Sequence, residues 1–459
     1  MSEDSLVTES PRQPQLPSAE LVDAVLAAVE SGDAARLAGL LEPLHAADIA
    51  DLLEQIEPDS RERLITLWGD RIDPEMLSEL SEGVRDEIMP LLSPAQLQRL
   101  GDELETDDVV YLVEDLDEPV QEKVLEALDD ADRAAVESSL TYPEDSAGRL
   151  MQRELVTAPE HWTVGEIIDY MRASDDLPEL FYDVILTDPR MHPVGAVALS
   201  RIMANRREVP LASLTHEDLH LIRADQPQEE VAYAFNQYHM VSAPVVDADG
   251  RLVGVITIDD AMGVLEEEAE EDMRRLAGVG DEEITDRVWE IVRLRFPWLA
   301  INLVTAVIAS LVISLFEEEL RAVVALAVLM PIVASMGGNA GTQTLTVAVR
   351  ALATRDLTAS NMDRVVLREV LVGLGNGLAF AVIVGALGVV WFGSPMLGVV
   401  LGLAMVINLL AAALAGILIP LGLEKLGADP ALASGTFVTT VTDVVGFFVF
   451  LGLAGMLLL

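Results

Sequence analysis

The chain has 459 residues, of which 51% are hydrophobic, yet its formal net charge is −48. It contains no cysteine, which excludes disulfides, thiolate metal sites and cysteine nucleophiles. From Phe296 onward there are 9 acidic and 6 basic residues, a net charge of −3, so the residues before Phe296 carry −45. These numbers predict an acidic soluble region followed by a membrane region. Nucleic acid and anionic lipid are poor partners for the acidic region, and divalent cations are good ones.

The N-terminal part is predicted to be a short disordered tail followed by a helical domain. Residues 1–18 are rich in Ser, Pro and Glu and lack the apolar core of a signal peptide, so the acidic region is expected to stay in the cytoplasm. Residues 19–140 repeat short amphipathic units that open at polar turns such as His45, Ser93 and Thr106, which predicts a superhelix of short helices. Most of its Asp and Glu are expected to form a solvated face, with a minority meeting another acidic surface.

Residues 141–262 change to a mixed α/β pattern that contains an internal repeat of 59 residues. Each copy reads as a helix, a strand, a turn, a second strand and the start of another helix. The two copies are Thr163–Ala173 with Val184–Asp188 and Pro193–Met203, and Gln228–His239 with Pro244–Asp247 and Leu252–Met262. This arrangement resembles a tandem CBS pair, which implies a regulatory module that often binds adenine nucleotides or metals and carries no catalysis of its own.

Residues 263–293 are predicted to form an acidic connecting helix. Its acidic run places like charges four residues apart, as in Glu267/Glu271 and Glu268/Asp272, and each such pair costs a few tenths of a kcal/mol. A bound divalent cation removes that cost, whereas the alternative is a solvated acidic face. Gly278 is expected to break the helix before the membrane.

Residues 294–459 contain five apolar segments, each about long enough to span ~30 Å of hydrocarbon. They are Phe296–Phe316, Ala322–Val349, Val370–Phe392, Leu397–Leu421 and Thr436–Leu459. Lys and Arg are concentrated in the loops on the side of the N-terminus, which predicts a cytoplasmic N-terminus and an external C-terminus.

Two of these segments carry polar residues that a simple anchor does not need. Asp443 is the one ionisable residue of the fifth segment, and Thr439 lies one helical turn before it on the same face. Two or more copies around an axis would form an acidic ring that selects cations, whereas the alternative is a structural Asp paired to a neighbouring helix. The second segment combines Pro331, the close-packing Gly337 and Gly338, and Asn339, with Gly341 and Gln343 one turn on. Packing through small residues is one explanation, and a pore-lining helix opposite Asp443 is the one we favour.

Four stretches of the sequence together resemble the MgtE-type magnesium channels over nearly the whole chain. They are Tyr142–Met151 (YPEDSAGRLM), Ala334–Gln343 (ASMGGNAGTQ), Arg350–Asp356 (RALATRD) and Asp429–Asp443 (DPALASGTFVTTVTD). The resemblance implies a homodimer in the cell (inner) membrane, with an ion path between the second and fifth spans of both subunits. The expected fold is a multidomain α, α/β and α-helical membrane protein: a helical superhelix, a tandem CBS pair, an acidic plug helix and five membrane helices.

The resemblance also assigns residues to roles. Asp443 matches the pore aspartate, and Asp429 lies at the cytoplasmic mouth. The positions that match acids binding regulatory Mg²⁺ at the interface of the CBS pair and connecting helix are Asp260, Glu268, Glu271, Asp272 and Glu229. Asp107 and Asp108 are a looser match to acids that face the CBS pair from the helical domain.

Four positions depart from the family pattern. Gly263 and His239 stand where better-studied members carry acids, which leaves the number of cytosolic ions open. Gly435 replaces a pore Asn of some members, and Thr436 replaces a frequent Pro, which leaves the details of ion selection open. Gly435 remains a predicted pore position, because its carbonyl and that of Thr439 are candidates to contact the hydrated ion.

These features predict a Mg²⁺-selective channel rather than a pump or an enzyme, since the chain has no phosphate-binding loop to couple energy. Mg²⁺ is expected to enter down the membrane potential and to close the channel by bridging the acidic surfaces. Alternatives are a broader divalent transporter for Co²⁺ or Mn²⁺, an exporter, or a nucleotide-sensing protein whose spans are an anchor. ATP is a candidate ligand of the CBS pair, and the sequence leaves its binding open.

Overall fold

The computed structural model describes residues 17–174, 177–178, 180–215, 219–280, 288–358, 360–427, 429–432 and 435–459. The chain divides into two compact units, Met1–Glu266 and Glu267–Leu459. The boundary falls inside one helix, α15, and each unit is described by itself below.

The first half of the first unit consists of short helices, as the amphipathic units predict. They are α1 Ala19–Ser31, α2 Ala34–Leu41, α3 Ala46–Glu54, α4 Pro58–Trp68, α5 Glu75–Ser78, α6 Glu82–Ile88, α7 Pro94–Glu103, α8 Thr106–Val113, α9 Glu118–Ala127 and α10 Asp130–Ser139. Side-chain caps define several starts: His45 with Asp48, and Ser93 with Gln96, form reciprocal capping boxes at α3 and α7. Their apolar faces share one continuous core that runs from Val25 to Val136.

The second half of the first unit has two three-stranded sheets. Its elements are α11 Ala147–Leu150, β1 Val156–Pro159, α12 Val164–Ala173, β2 Asp183–Thr187, β3 Pro193–Ala198, α13 Leu199–Ala204, β4 Ile222–Arg223, α14 Gln228–Tyr238, β5 Ser242–Val246 and β6 Leu252–Thr257. In each sheet the first strand is parallel to the second, which is antiparallel to the third. The antiparallel hairpins begin at Asp183 and Ser242, 59 residues apart, so the predicted repeat is confirmed.

Helix α15 extends from Ile258 to Ala277 and carries the acidic run. Gly278 follows it with a φ of +69°, a left-handed conformation that favours glycine and ends helices. The predicted break at this position is therefore confirmed.

The second unit contains, within its described residues, five helices that are long and apolar enough to cross a membrane: Ile291–Ser314, Ala325–Ala353, Met362–Phe392, Pro395–Lys425 and Gly435–Leu457. The helices themselves are α16 Val288–Ser314, α17 Glu317–Ala322, α18 Ala325–Ala353, α19 Met362–Phe392, α20 Pro395–Lys425 and α21 Gly435–Leu457. They agree with the five predicted spans, and α17 is a short helix between the first two.

Helix α20 is the centre of the second unit. In its most apolar stretch 61% of the residues are buried, more than in any other of the five candidate membrane helices. It packs against α18, α19 and α21, and glycines bring the backbones close at these contacts. A Cβ at Gly416 would lie 2.7 Å from the carbonyl oxygen of Gly341, and one at Gly398 would lie 2.6 Å from that of Gly385. Small residues therefore fix α20 closely against α18 and α19.

Candidate functional site

Asp443 lies near the middle of α21 and is half-buried, with no hydrogen bond or ion pair to any described residue. The hydroxyls of the preceding turn bond to their own helix: Thr439 Oγ1 donates to the carbonyl of Thr436 at 3.0 Å, and Thr442 Oγ1 donates to that of Thr439 at 2.9 Å. The alternative explanation, a structural Asp paired to a neighbouring helix, is therefore not supported, because Asp443 has no partner in the described part of the chain. An unpaired carboxylate within a membrane-spanning helix is energetically costly, and such residues usually line the path of an ion or substrate.

Helices α18 and α21 meet along a seam of small residues that contains several predicted positions. A Cβ at Gly338 would lie 3.2 Å from Thr439 Cγ2, and one at Gly341 would lie 2.5 Å from Val438 Cγ1. Gly435 opens α21, and its Cβ position is 3.7 Å from Thr342 Oγ1. The structure thus brings the second and fifth spans into direct contact on their glycine and threonine faces.

Two predicted residues of α18 lie away from this seam. Asn339 is exposed on the surface of the single chain, where its Nδ2 donates to Ser335 Oγ at 3.4 Å. Pro331 is also exposed, within the helix. Gly337, by contrast, is buried against Asn408 of α20, a residue that the sequence analysis did not select. Asn408 is the one amide between Pro395 and Lys425, and that is the signal by which it could have been found.

Asp429 lies between α20 and α21 and forms an ion pair with an arginine side chain. Its Oδ1 accepts a hydrogen bond from Ala431 N at 2.8 Å, and its Oδ2 accepts one from the guanidinium of Arg275. Arg275 also pairs with Glu271 one turn earlier on α15, and Arg274 lies 3.8 Å from Glu270. The acidic run is therefore partly neutralised by two arginines that the sequence analysis overlooked.

A cluster of carboxylates lies in the first unit, where the N-terminus of α8 faces the start of α15. Asp107 is only 8% exposed, and burial together with the nearby Asp260 carboxylate raises its pKa well above the usual range. Burial and the same carboxylate raise the pKa of Asp108 to about 6. For Glu105, burial and Glu154 raise the pKa to about 7. Asp107, Asp108 and Asp260 were predicted, whereas Glu105 was not.

Glu154 connects this cluster to the α/β half of the unit. Its carboxylate accepts hydrogen bonds from Thr106 Oγ1 at 2.7 Å, from Thr106 N at 3.2 Å and from Arg153 N at 2.9 Å. The bond from Thr106 N satisfies one of the free N–H groups at the start of α8, and the two bonds from Thr106 fix the helix beside the acids that it carries. Burial raises the pKa of Asp260, whose carboxylate also accepts a hydrogen bond from Thr257 Oγ1 at 2.7 Å.

The remaining predicted acids are dispersed. Glu229 is exposed in the first turn of α14, whereas Glu268 and Asp272 are half-buried on α15. Of the departures from the family pattern, His239 ends α14 with a φ of +54°, and Gly263 is exposed with nothing within 4 Å of its Cβ position. An acid at 263 would therefore meet no steric barrier within the described residues.

In the described residues, no three carboxylates or imidazoles are close enough to form a metal site as they stand. The cluster at α8 nevertheless fits a hard divalent cation, because its donors are oxygens and the buried Asp107 Oδ1 has no hydrogen-bond partner among the described residues. A cation between Asp107 and Asp260 would complete the coordination of that oxygen and offset the nearby Asp260 charge that contributes to the raised pKa of Asp107.

The comparisons with known proteins agree with this organisation. Residues 330–453 match the family model described as a divalent cation transporter, residues 44–145 match the MgtE intracellular N domain, and residues 211–267 match the CBS domain. The CBS match falls on the second of the two repeats.

Relatives of this chain align with 70% to 94% of its length. The magnesium transporter MgtE of Thermus thermophilus is 34% identical over 443 residues, which are 94% of this chain and 97% of that protein. The magnesium transporter MgtE of Enterococcus faecalis is 35% identical over 70% of this chain and 71% of its own length. The crystal structure of the cytosolic domain of the Mg²⁺ channel MgtE in complex with ATP is 30% identical with a TM-score of 0.49, covering 53% of this chain and 99% of that one. The chain belongs to the MgtE family of magnesium transporters.

Proposed function

We propose that this chain forms a homodimeric channel that imports Mg²⁺ along a path between α18 and α21 and is closed by cytosolic Mg²⁺. The observation that carries the proposal is Asp443: a half-buried carboxylate without a described partner, on a membrane helix whose neighbouring face packs on glycines of α18. Two copies related by a dimer axis would present two such carboxylates to the same path, which is a common arrangement in cation-selective pores.

Selection of Mg²⁺ would act on the hydrated ion. Mg²⁺ is small and gives up its waters reluctantly, so a pore that passes it efficiently contacts the hydration shell rather than replacing it. The Asp443 carboxylates would accept hydrogen bonds from these waters, and the backbone carbonyls near Gly435 and Thr439 would contact the shell on the cytoplasmic side. A donor set made only of oxygens discriminates weakly against Mn²⁺.

The membrane potential supplies enough energy for import. Moving two charges through about 100 mV is worth ~4.6 kcal/mol, twice the value for a single charge. The uneven distribution of Lys and Arg supports a cytoplasmic N-terminus, and therefore an acidic region of charge −45 on the side where imported Mg²⁺ accumulates.

Closure would follow from the carboxylate clusters. Without cations, the acids around Asp107 and Asp260 repel one another, and cations that bridge them favour the state in which they are close. The same argument applies to Glu268, Glu271 and Asp272 of α15. Replacing these three by neutral amides should leave a channel that conducts at high Mg²⁺, and normal closure of that variant contradicts this gating step.

ATP is proposed as a second ligand, at the cleft between the two CBS repeats. The cleft is lined by residues of both repeats, including Tyr182 and Asp183 of the first and Ser242 and Thr257 of the second. Asp183 accepts a hydrogen bond from Ser242 Oγ at 2.7 Å across it. A nucleotide seated there would compete for this bond and would link the repeats.

The test is Mg²⁺-dependent growth of a host that lacks its own Mg²⁺ importers, at matched membrane expression. The wild-type chain and Asp363→Asn, which neutralises an exposed acid at the start of α19, should both rescue growth, and Asp443→Asn should not. Rescue by Asp443→Asn contradicts a pore at this residue. Failure of the wild type on Mg²⁺, with uptake of Co²⁺ or Mn²⁺ instead, favours the broader transporter.

A further inference from the structure

Asn408, near the middle of α20, is a fully buried amide in the apolar core of the membrane unit. Its exposure is 0%, and its Nδ2 donates a hydrogen bond to the carbonyl oxygen of Val333 in α18 at 2.9 Å. Of the Asn and Gln side chains in the described membrane helices, only that of Asn408 is buried. Its neighbours Met405 and Leu409 belong to the apolar cluster that holds α18, α20 and α21 together.

The amide of Asn408 lies between two glycines that belong to the two proposed pore helices. A Cβ at Gly337 of α18 would lie 2.3 Å from Asn408 Nδ2, and one at Gly446 of α21 would lie 2.8 Å from the same atom. Real Cβ atoms do not approach that closely, so only glycine at both positions leaves room for the amide. One side chain of α20 therefore touches the backbones of both pore helices.

This contact differs from those that Gly338 and Gly341 make on the same seam. At Gly338 and Gly341, α18 meets side chains of α21 directly, through Thr439 and Val438. At Gly337 and Gly446 the amide from the third helix fills the space instead. It acts as a spacer, and Gly446 is three residues after Asp443, one helical turn along α21.

Stability alone does not account for an amide at this position. Asn408 Oδ1 is buried and has no hydrogen-bond partner among the described residues. A buried polar atom without a partner is unfavourable, and an apolar side chain of similar volume would avoid that cost. The amide instead keeps the backbones at Gly337 and Gly446 a fixed distance apart, and its hydrogen bond to Val333 fixes the rotation of α18 about its own axis.

We propose that Asn408 is a positioning residue that sets the separation of α18 and α21 beside Asp443 and thereby the width of the ion path. The inference rests on the proposed function, because it assumes that Asp443 contacts the ion. Shortening the side chain lets the helices approach each other. A narrower path obstructs hydrated Mg²⁺ more than Mn²⁺, since Mg²⁺ gives up its waters more reluctantly.

The test measures Mg²⁺ and Mn²⁺ influx into the same batch of proteoliposomes, driven by an imposed inside-negative potential. Wild type and Asp443→Asn come first: potential-driven flux in the wild type and its loss in Asp443→Asn establish the proposed function independently of Asn408. The ratio of the two fluxes is then compared among variants. This ratio does not depend on how much of the protein is folded, so a purely structural defect leaves it unchanged.

We expect Asn408→Ala to raise the Mn²⁺/Mg²⁺ flux ratio by about threefold to tenfold, the range corresponding to loss of one interhelical contact in a membrane. Met405→Ala, which removes buried volume from the same helix without touching either glycine, should keep the wild-type ratio. Adding Gly446→Ala to Asn408→Ala refills the space with a methyl group and should restore the ratio to within about twofold of wild type.

Two outcomes overturn the proposal. One is a wild-type ratio in Asn408→Ala with both fluxes reduced equally, as a structural role requires. The other is a double variant that is no better than Asn408→Ala alone. If Asn408→Ala does not reconstitute, Asn408→Ser, which shortens the side chain and keeps a donor, has the same expected ratio and the same contradicting results.

Discussion

The guanidinium of Arg275, near the C-terminal end of α15, donates a hydrogen bond to the carboxylate of Asp429, which precedes α21. Both side chains are about one third exposed. The adjacent Leu276 packs on an apolar cluster that includes Ala431 and Val438. The end of the acidic helix is therefore attached to the segment that leads into the proposed pore helix, by an ion pair and an apolar contact together.

Breaking this pair should make closure by Mg²⁺ less effective. A partly exposed ion pair contributes about 1 kcal/mol at most, so Arg275→Gln should raise the half-closing Mg²⁺ concentration up to about fivefold in flux measurements. Arg274→Gln, which alters the neighbouring arginine paired with Glu270, serves as the control and should shift closure less. Asp429→Asn, which removes the partner and leaves Arg275 paired with Glu271, should shift closure in the same direction, and normal closure of that variant contradicts a role for the pair itself.

The sequence predicted those features that depend on local periodicity. Five apolar spans, a 59-residue repeat and the helix break at Gly278 are visible in consecutive residues, and all three are confirmed. The contacts of Arg275 with Asp429 and of Asn408 with Val333 join residues 154 and 75 positions apart, so no local pattern contains them.

The acidic run of α15 also contains a local pattern of opposite charges that is visible in the sequence. The spacing of Glu270 to Arg274 and of Glu271 to Arg275 is that of favourable i,i+4 ion pairs, and both pairs are present. Like-charge repulsion within α15 is therefore smaller than the count of its acids indicates. Glu105 was missed for a different reason: its raised pKa arises from burial and from acids brought near it by the tertiary fold.

Asp107→Asn should make the contact between α8 and the start of α15 less dependent on Mg²⁺. The amide cannot ionise at any pH and can still donate a hydrogen bond to Asp260, so the cation-free protein should hold α8 in place even where Asp107 would lose its proton. Hydrogen exchange of the amides of α8 in the full-length chain measures this: protection without Mg²⁺ should rise, and added Mg²⁺ should change it little. Asp102→Asn, an exposed acid near the end of α7, should retain the wild-type response.

Binding of Mg²⁺ to this cluster should weaken as the pH falls from 8 to 6. Glu105, with its pKa near 7, and Asp108, with its pKa near 6, take up protons in that range and then compete with the cation. Relative to pH 8, we expect protonation of Glu105 to weaken the affinity at pH 6 roughly tenfold and protonation of Asp108 to weaken it about twofold. Calorimetric titration of the full-length chain in two buffers of different ionisation enthalpy measures both the affinity and the protons released. A pH-independent affinity contradicts binding at these acids.

The same pKa values give the sign of the pH effect on stability in the absence of divalent cations. In the unfolded chain these groups titrate at about pH 4, so the folded state holds more protons between about pH 4 and pH 7. Their favourable contribution is complete below that range and is lost as the pH rises through about 6 to 7. The first unit should therefore unfold more readily at pH 8 than at pH 5, and Mg²⁺ should offset the difference at pH 8.

Gly341→Ala should disturb the proposed ion path by overpacking the seam between α18 and α21. The added Cβ would lie 2.5 Å from Val438 Cγ1, and inserting a methyl group into a packed core typically costs about 1–3 kcal/mol. We expect lower thermal stability and lower Mg²⁺ flux per molecule. Gly375→Ala on α19 is the matched control: among the described residues beyond its own helical turn, no atom lies within 4 Å of its Cβ position, so the flux of this variant should be unchanged.

Adding Val438→Ala to Gly341→Ala separates steric overlap from a requirement for glycine itself. Val438→Ala removes the methyl group that the new Cβ would meet, so the double variant should recover stability and flux relative to Gly341→Ala. Recovery of stability without flux indicates that the spacing of the two helices, and not their packing energy, controls conduction. If the double variant is as impaired as Gly341→Ala in both measurements, the close contact between Gly341 and Val438 is not the cause of the defect.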